Sequence, residues 1–296
     1  MEDMRTPARV LKKLNLRDLA SVQRTLNSGR LNTVCEEARC PNITECWQRP
    51  TATFMILGDV CTRGCRFCSV TSGKPLTLDP HEPENLAAAA AELNLTYVVI
   101  TSVNRDDLPD GGAEHFASCI RAVRERLPEC RVEVLTPDFR RKPDAVATVL
   151  SARPDVFNHN LETVPRLYRK VRPGAEYHGS LDVLRRAKDL GAAVTKTGIM
   201  VGLGEEPDEV LQLMDDALAH DVDILTIGQY LRPSRDSLPV VEYVDDERYA
   251  YYKREGMQRG FRMVAAGTHV RSSYLADVVF EDALGITDTT PRMASK

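Results

Sequence analysis

No apolar run in this 296-residue chain approaches the ~20 residues that cross a bilayer. The opening MEDMRTPARVLKKLNLRDLA has no hydrophobic core of the kind that marks a secretory signal. Neither membrane insertion nor export is expected. No basic patch with interleaved aromatic residues is present, which argues against a nucleic-acid partner. Internal repeats and low-complexity segments are also missing, and the six histidines show no metal-ligand spacing. Gly202-Leu203-Gly204 is too short for a dinucleotide-binding fingerprint. What remains is ordinary for a soluble globular protein: 43% hydrophobic and 28% charged residues, in a chain long enough for a single α/β barrel.

The formal charge of −4 is unevenly distributed. Residues 1–30 hold seven basic residues (Arg5, Arg9, Lys12, Lys13, Arg17, Arg24, Arg30) against Glu2, Asp3 and Asp18, a net +4 that leaves −8 on the rest. Such an arm suits docking to an acidic partner, or is simply a solvated helix face.

Short β-branched, apolar runs recur along the chain: Thr53–Leu57, Tyr97–Thr101, Val132–Thr136, Val156–Glu162, Thr195–Val201 and Ile224–Tyr230. Helical patterns separate them at Pro83–Asn94, Ala113–Leu127, Pro143–Ser151, Ser180–Leu190 and Pro207–His220. Ser180 stands at an N-cap position and Gly191 follows at a C-terminal cap. Strand alternating with helix predicts β/α units around a parallel sheet. Met263–Gly267 reads either as one further strand or as a buried return segment. Polar residues (Ser102, Asn104, Glu162, Gln229) cluster at or after strand ends, the catalytic face of such barrels.

Eight cysteines would suit a small secreted disulfide protein, but six of them are clustered and the chain is long, so a reducing cytoplasm is the expected location. Cys35, Cys40 and Cys46 are spaced C-x4-C-x5-C ahead of the first strand, and Cys61, Cys65 and Cys68 are spaced C-x3-C-x2-C just after it. Two metal sites are thus expected to face one another across the barrel mouth. Three thiolates are one short of a closed tetrahedral site, but they can hold a cubane iron–sulfur cluster with one iron open to another ligand. A structural zinc site is the plainer alternative. Gly64 is read as allowing a tight backbone turn within the second triplet. Cys119 and Cys130 lie outside both sets and read as small buried side chains.

The C-x3-C-x2-C loop after the first strand resembles that of the radical S-adenosylmethionine (SAM) superfamily, where the open iron chelates SAM and one electron yields a deoxyadenosyl radical. The resemblance then narrows. CEEARCPNITECW (35–47), TSVNRDDLPDGGA (101–113), NHNLETVPRLYRKVRPGA (158–175), TKTGIMVGLGE (195–205), LTIGQYLRPS (225–234) and VRSSY (270–274) are similar, in order, to segments of the lipoyl synthase family. That resemblance implies a partial (β/α)6 barrel, two 4Fe–4S clusters, and insertion of two sulfur atoms at the sixth and eighth carbons of a protein-bound octanoyl-lysine, with the auxiliary cluster as sulfur donor. It implies an N-terminal extension over 1–50 carrying the auxiliary cysteines, a radical SAM barrel over 51–270, and a C-terminal segment over 271–296.

Carried over by residue, Cys61, Cys65 and Cys68 hold the SAM cluster. Cys35, Cys40, Cys46 and Ser273 hold the auxiliary one, with Ser272 as the alternative to Ser273. A serine oxygen among soft thiolates would make that corner the labile one. Gly111 and Gly112 correspond to the family's glycine-rich turn near the methionine end of SAM. Glu162 and Arg172 suit ribose and carboxylate respectively, or form only an ion-pair network; Asn160 and Gln229 are weaker candidates. The implied partners are octanoylated carrier domains (lipoyl domains of 2-oxoacid dehydrogenase E2 subunits, the glycine cleavage H protein) and a flavodoxin or ferredoxin electron donor. The rival readings are a biotin-synthase-like sulfur inserter and an iron–sulfur electron carrier. The sequence departs conservatively from the family at Thr197 and at His269, within GTHVRSSY, and its tail beyond Phe280 matches nothing in the pattern.

Overall fold

The computed structural model describes residues 7, 22–26, 28–29, 31–37 and 40–286. Seven strands form one sheet in chain order: β1 (Thr51–Ile56), β2 (Tyr97–Ser102), β3 (Arg131–Leu135), β4 (Val156–Asn158), β5 (Val194–Val201), β6 (Ile224–Gln229) and β7 (Met263–Gly267). Every neighbouring pair is parallel. Helices α1 (Glu82–Glu92), α2 (Ala113–Arg126), α3 (Ala145–Ser151), α4 (Tyr177–Asp189), α5 (Pro207–Ala219) and α6 (Asp246–Arg259) return the chain between strands. The result is the parallel β/α arrangement that the alternating pattern predicts, in the partial barrel that the family resemblance implies, with Met263–Gly267 as a seventh strand. No helix among the described residues is long and apolar enough to cross a membrane.

Local chemistry sets the helix starts. Helix α5 opens with Pro207 at its first position and a reciprocal capping box between Glu206 and Glu209. The Asp245 side chain accepts from the Arg248 amide at the start of α6. Two expectations need correction. Helix α4 begins at Tyr177 with Glu176 as its N-cap, so Ser180 lies inside it, where its hydroxyl is taken up by Tyr168 and Arg172. The fourth strand ends at Asn158, and the chain leaves the sheet before Glu162, which rejoins β5 through a single bridge to Ile199.

The outer strand faces pack against the helices in two apolar clusters. At the strand starts the inner face is apolar, and Tyr97, Val156, Val194 and Ile224 meet Ala276, Val279 and Phe280 of α7 (Ala276–Ala283) there. Helix α7 therefore plugs the N-terminal end of the barrel. One layer above it, Lys196 Nζ lies 2.9 Å from Glu133 Oε1, and the same carboxylate accepts from Tyr97 Oη (2.9 Å) and Asn158 Nδ2 (3.1 Å).

The sheet does not close: its order begins at β1 and ends at β7. Two segments fill this seam. Asn32 pairs antiparallel with Met55 on the free edge of β1, which leads the first cysteine triplet into place. From the other side, residues 268–275 run back along the inner face of β6, where the Val270 carbonyl lies against Gly228. Asn42 Nδ2 donates to the His269 carbonyl (2.6 Å) and Tyr274 Oη to Glu45 (2.9 Å), joining the two segments.

Candidate active site

The loop after β1 carries Cys61, Cys65 and Cys68 to the carboxyl end of the barrel. A two-residue ladder between Val60–Cys61 and Thr71–Ser72 pinches its base. The loop is anchored by Arg63, 8% exposed, whose guanidinium binds two carboxylates: Asp106 at 2.8 and 2.9 Å and Asp138 at 2.8 and 2.6 Å. Burial raises the pKa of Asp138, but the hydrogen bonds and charge of Arg63 outweigh it and hold that carboxyl well below the usual carboxylate range. Gly64 does not adopt a left-handed φ, and an added Cβ would meet only Ser72 Oγ at 3.7 Å. The turn thus relies on the Arg63 clamp, and the glycine's freedom is not used.

The three cysteines line a cavity of about 180 Å³ together with Asn104, His159, Asn160, Glu162 and Arg172. N–H groups point at two of the sulfurs: the amides of Asn104 (3.3 Å) and Arg63 (3.4 Å) at Cys61 Sγ, and that of Val70 (3.5 Å) at Cys68 Sγ. Burial pushes the Cys65 thiol up to about 11, against the opposing pull of Arg172. Arg172 is 7% exposed; its Nη1 donates to the Asn160 carbonyl and to Tyr168 Oη, both at 2.8 Å. Glu162 has a φ of +68°, a strained backbone held by bonds to Gly198 and Met200 on β5. Its carboxyl is pushed up by burial, opposed by Arg172 and by the Asn160 amide at 3.1 Å.

Cys35, Cys40 and Cys46 surround a second, smaller cavity with Asn42, Thr53, Arg271 and Ser273. The neighbouring Ser272 turns the other way, its Oγ accepting from Asn160 Nδ2 at 2.6 Å. Burial, reinforced by nearby Cys40, pushes the Cys35 thiol up to about 12. A crowded set like this becomes thiolate only when a cation replaces the protons, which fits an iron–sulfur cluster. Among the described residues no three His, Cys, Asp or Glu side chains converge on one ion. The two cavities share no lining residue but approach the same strand: Thr53 of β1 lines one and Met55, two residues on, lines the other.

Residues 55–217 match the Radical SAM superfamily. The chain is 57% identical over 263 residues to the lipoyl synthase of Rubrobacter xylanophilus, a match covering 88% of this chain and 82% of that one. The chain belongs to the lipoyl synthase family, within the radical SAM superfamily. Among solved structures, methylornithine synthase (PylB) aligns with a TM-score of 0.52 at 16% identity, over 80% of this chain and 71% of that one. Streptococcus suis SuiB bound to S-adenosylmethionine aligns with a TM-score of 0.59 at 11% identity, over 86% of this chain and 55% of that one. These two likenesses concern the fold.

Of the residues that the lipoyl synthase resemblance marks, ten fall around the two cavities: the six cysteines, Ser273, Asn160, Glu162 and Arg172. Gly111 and Gly112 do not. They are buried at the start of α2, with φ of +70° and +90°, packed against Phe139 and Leu57. Asn104 is the residue of that connection that reaches the cysteines. Gln229 is consumed structurally, bridging the carbonyls of Val201, Tyr230 and Glu242 to the amide of Val244. Sequence reasoning gave no site role to Arg63, to Asn104, named only as a polar residue beyond a strand end, or to His159, read as near the site but at least as readily a hydrogen-bonded core histidine. The first two carry a legible signal: an arginine inside a cysteine triplet, and an asparagine two residues past a strand end. A wider cavity of about 640 Å³ elsewhere, lined by Arg121, Arg124, Arg131 and Arg153 with Phe280 and Leu284, touches none of this machinery.

Proposed function

We propose that this chain acts as a lipoyl synthase, inserting sulfur at the sixth and eighth carbons of an octanoyl chain carried on a lysine of an acceptor protein. The observation that carries this reading is the pairing of two cysteine triplets around adjacent cavities in a member of that family. Cys61, Cys65 and Cys68 would hold the 4Fe–4S cluster that binds SAM, and Cys35, Cys40, Cys46 and Ser273 the auxiliary 4Fe–4S cluster. When bound, these groups supply the one-electron cleavage of SAM and the sulfur that is inserted, chemistry that no acid–base side chain provides for an alkane C–H bond.

The chain's own residues bind, orient and exclude water. Arg63 fixes the cysteine loop to Asp106 and Asp138. The amides of Arg63 and Asn104 at Cys61, and of Val70 at Cys68, stabilise thiolate sulfur as ligand. Arg172 suits the carboxylate of SAM and Glu162 its ribose. That Ser273 and not Ser272 lines the cavity of the first triplet supports Ser273 as the oxygen ligand. The acceptors are octanoylated carrier domains, such as the lipoyl domains of 2-oxoacid dehydrogenases and the glycine cleavage H protein. A flavodoxin or ferredoxin delivers the electrons, in the cytoplasm. Most of the basic arm proposed to steer such partners (Arg5, Arg9, Lys12, Lys13, Arg17, Arg30) lies outside the described residues.

The test is to mix anaerobically reconstituted protein with SAM, a strong reductant and an octanoyl-lysyl peptide. A dithiolated peptide with matching 5′-deoxyadenosine is the expected outcome. Deoxyadenosine without sulfur on the peptide would move the substrate elsewhere within the superfamily.

A further inference from the structure

Two adjacent serines, Ser272 and Ser273, occupy different sites. Ser273 lines the cavity of Cys35, Cys40 and Cys46, whereas Ser272 Oγ accepts from Asn160 Nδ2 at 2.6 Å inside the barrel. Asn160, 7% exposed, lines the other cavity and gives the same amide nitrogen to Glu162 at 3.1 Å. Its Oδ1 is buried on the Gly198 side of β5 and has no partner among the described residues. A carbonyl so placed is short of one donor. SAM carries such donors in its ammonium and ribose hydroxyls.

The surroundings are shaped for this contact. A Cβ on Gly198 would lie 2.5 Å from Thr226 Oγ1, 3.0 Å from Asn160 Oδ1 and 3.4 Å from Ser272 Oγ, so β5 carries a glycine where these three side chains meet. The segment bearing both serines is itself fixed at two further points. Its His269 carbonyl accepts from Asn42 and its Tyr274 hydroxyl donates to Glu45, and Asn42 and Glu45 lie on the extension that carries the first cysteine triplet. We propose that Ser272 is a positioning residue that sets the register between the cosubstrate pocket and the auxiliary centre. Its hydroxyl orients Asn160 toward SAM, while the peptide bond to Ser273 transmits that position to the neighbouring site. This rests on the lipoyl synthase reading given above.

The test compares Ser272→Ala and Ser272→Thr with the parent protein, each reconstituted to the same iron content. Three quantities are read: SAM affinity by titration, iron content with the spectroscopic signature of the clusters, and deoxyadenosine formed per sulfur inserted. Loss of one hydrogen bond to a binding residue predicts SAM binding weaker by about three- to tenfold in Ser272→Ala. Deoxyadenosine per inserted sulfur should rise by at least a similar factor, with iron content and signature unchanged. Ser272→Thr, which keeps the hydroxyl, should restore both. Parent-like affinity and coupling in Ser272→Ala would overturn the proposal. So would loss of auxiliary iron in that variant, which would make Ser272 a ligand or a packing residue. If the parent inserts no sulfur at all, the lipoyl synthase reading fails, while the affinity comparison still decides whether Ser272 orients Asn160.

Discussion

Lys196 and Glu133, each 1% exposed, form an ion pair inside the barrel that also engages Tyr97 and Asn158. Removing one member leaves the other charge buried and alone, a loss of about 3–5 kcal/mol. Lys196→Ala should therefore lower the denaturant midpoint sharply. A Lys196→Met, Glu133→Gln double variant should recover much of that loss, because both charges leave together. A second residue links stability to pH. His159 is 1% exposed, and its Nδ1 lies 2.8 Å from the Thr136 carbonyl. Burial, helped by the charge of Arg172, lowers its pKa from 6.5 to about 4. Between those values the unfolded chain binds a proton that the folded protein refuses. Stability thus falls as the pH drops through this window, by up to about 1.4 kcal/mol per pH unit from this one group. Asp138, held low by Arg63, acts in the same sense only at more acidic pH. Denaturation of parent and His159→Gln between pH 7 and 5.5 should give a flatter profile for the variant. Equal slopes would place the titration elsewhere.

At the scale of elements, the seam between β1 and β7 depends on one close backbone approach. A Cβ on Gly228 would overlap the Val270 carbonyl oxygen, and no side-chain rotation can relieve that. Gly228→Ala should cost about 1–3 kcal/mol and release iron from the first cysteine triplet before the second, read by iron content against melting temperature. Gly64→Ala should stay within about 0.5 kcal/mol, since its Cβ meets only Ser72 Oγ at 3.7 Å. The contrast marks what was legible in the sequence. Strand periodicity and helix patterns located six strands and five helices to within a few residues, because both depend on near neighbours in the chain. Ser180 misled because its hydroxyl serves Tyr168 and Arg172, and a buried partner of that kind leaves no local signal. The seating of the first cysteine triplet against residues 268–274 was not legible either. It rests on contacts such as Asn42 to His269 and Tyr274 to Glu45, between residues 227 and 229 apart in the chain.

Across the whole molecule, the two cysteine sets belong to different structural units that share one wall. The loop set is fixed by Arg63 to residues following β2 and β3, and meets the extension where Ser69 Oγ donates to the Glu37 carbonyl. The other set is fixed by the extension and by residues 268–274. Replacing Cys35, Cys40 and Cys46 together with alanine should therefore lower iron from about eight to about four per chain, the content of one cubane. It should abolish sulfur insertion while SAM cleavage to deoxyadenosine persists. Replacing Cys61, Cys65 and Cys68 should abolish both reactions, yet leave the iron of the first set in place. Under the proposed function, the hydrogen bond from Asn160 to Ser272 would carry disturbance of the auxiliary site to the SAM pocket. Cleavage in the first variant should accordingly slow by less than about tenfold, the effect of one hydrogen bond, and not vanish. Iron analysis and deoxyadenosine release, measured on the same reconstituted samples, check both halves. Lipoyl product from the first variant would remove the auxiliary set from the role of sulfur donor, and absence of deoxyadenosine would show that the two units fold as one.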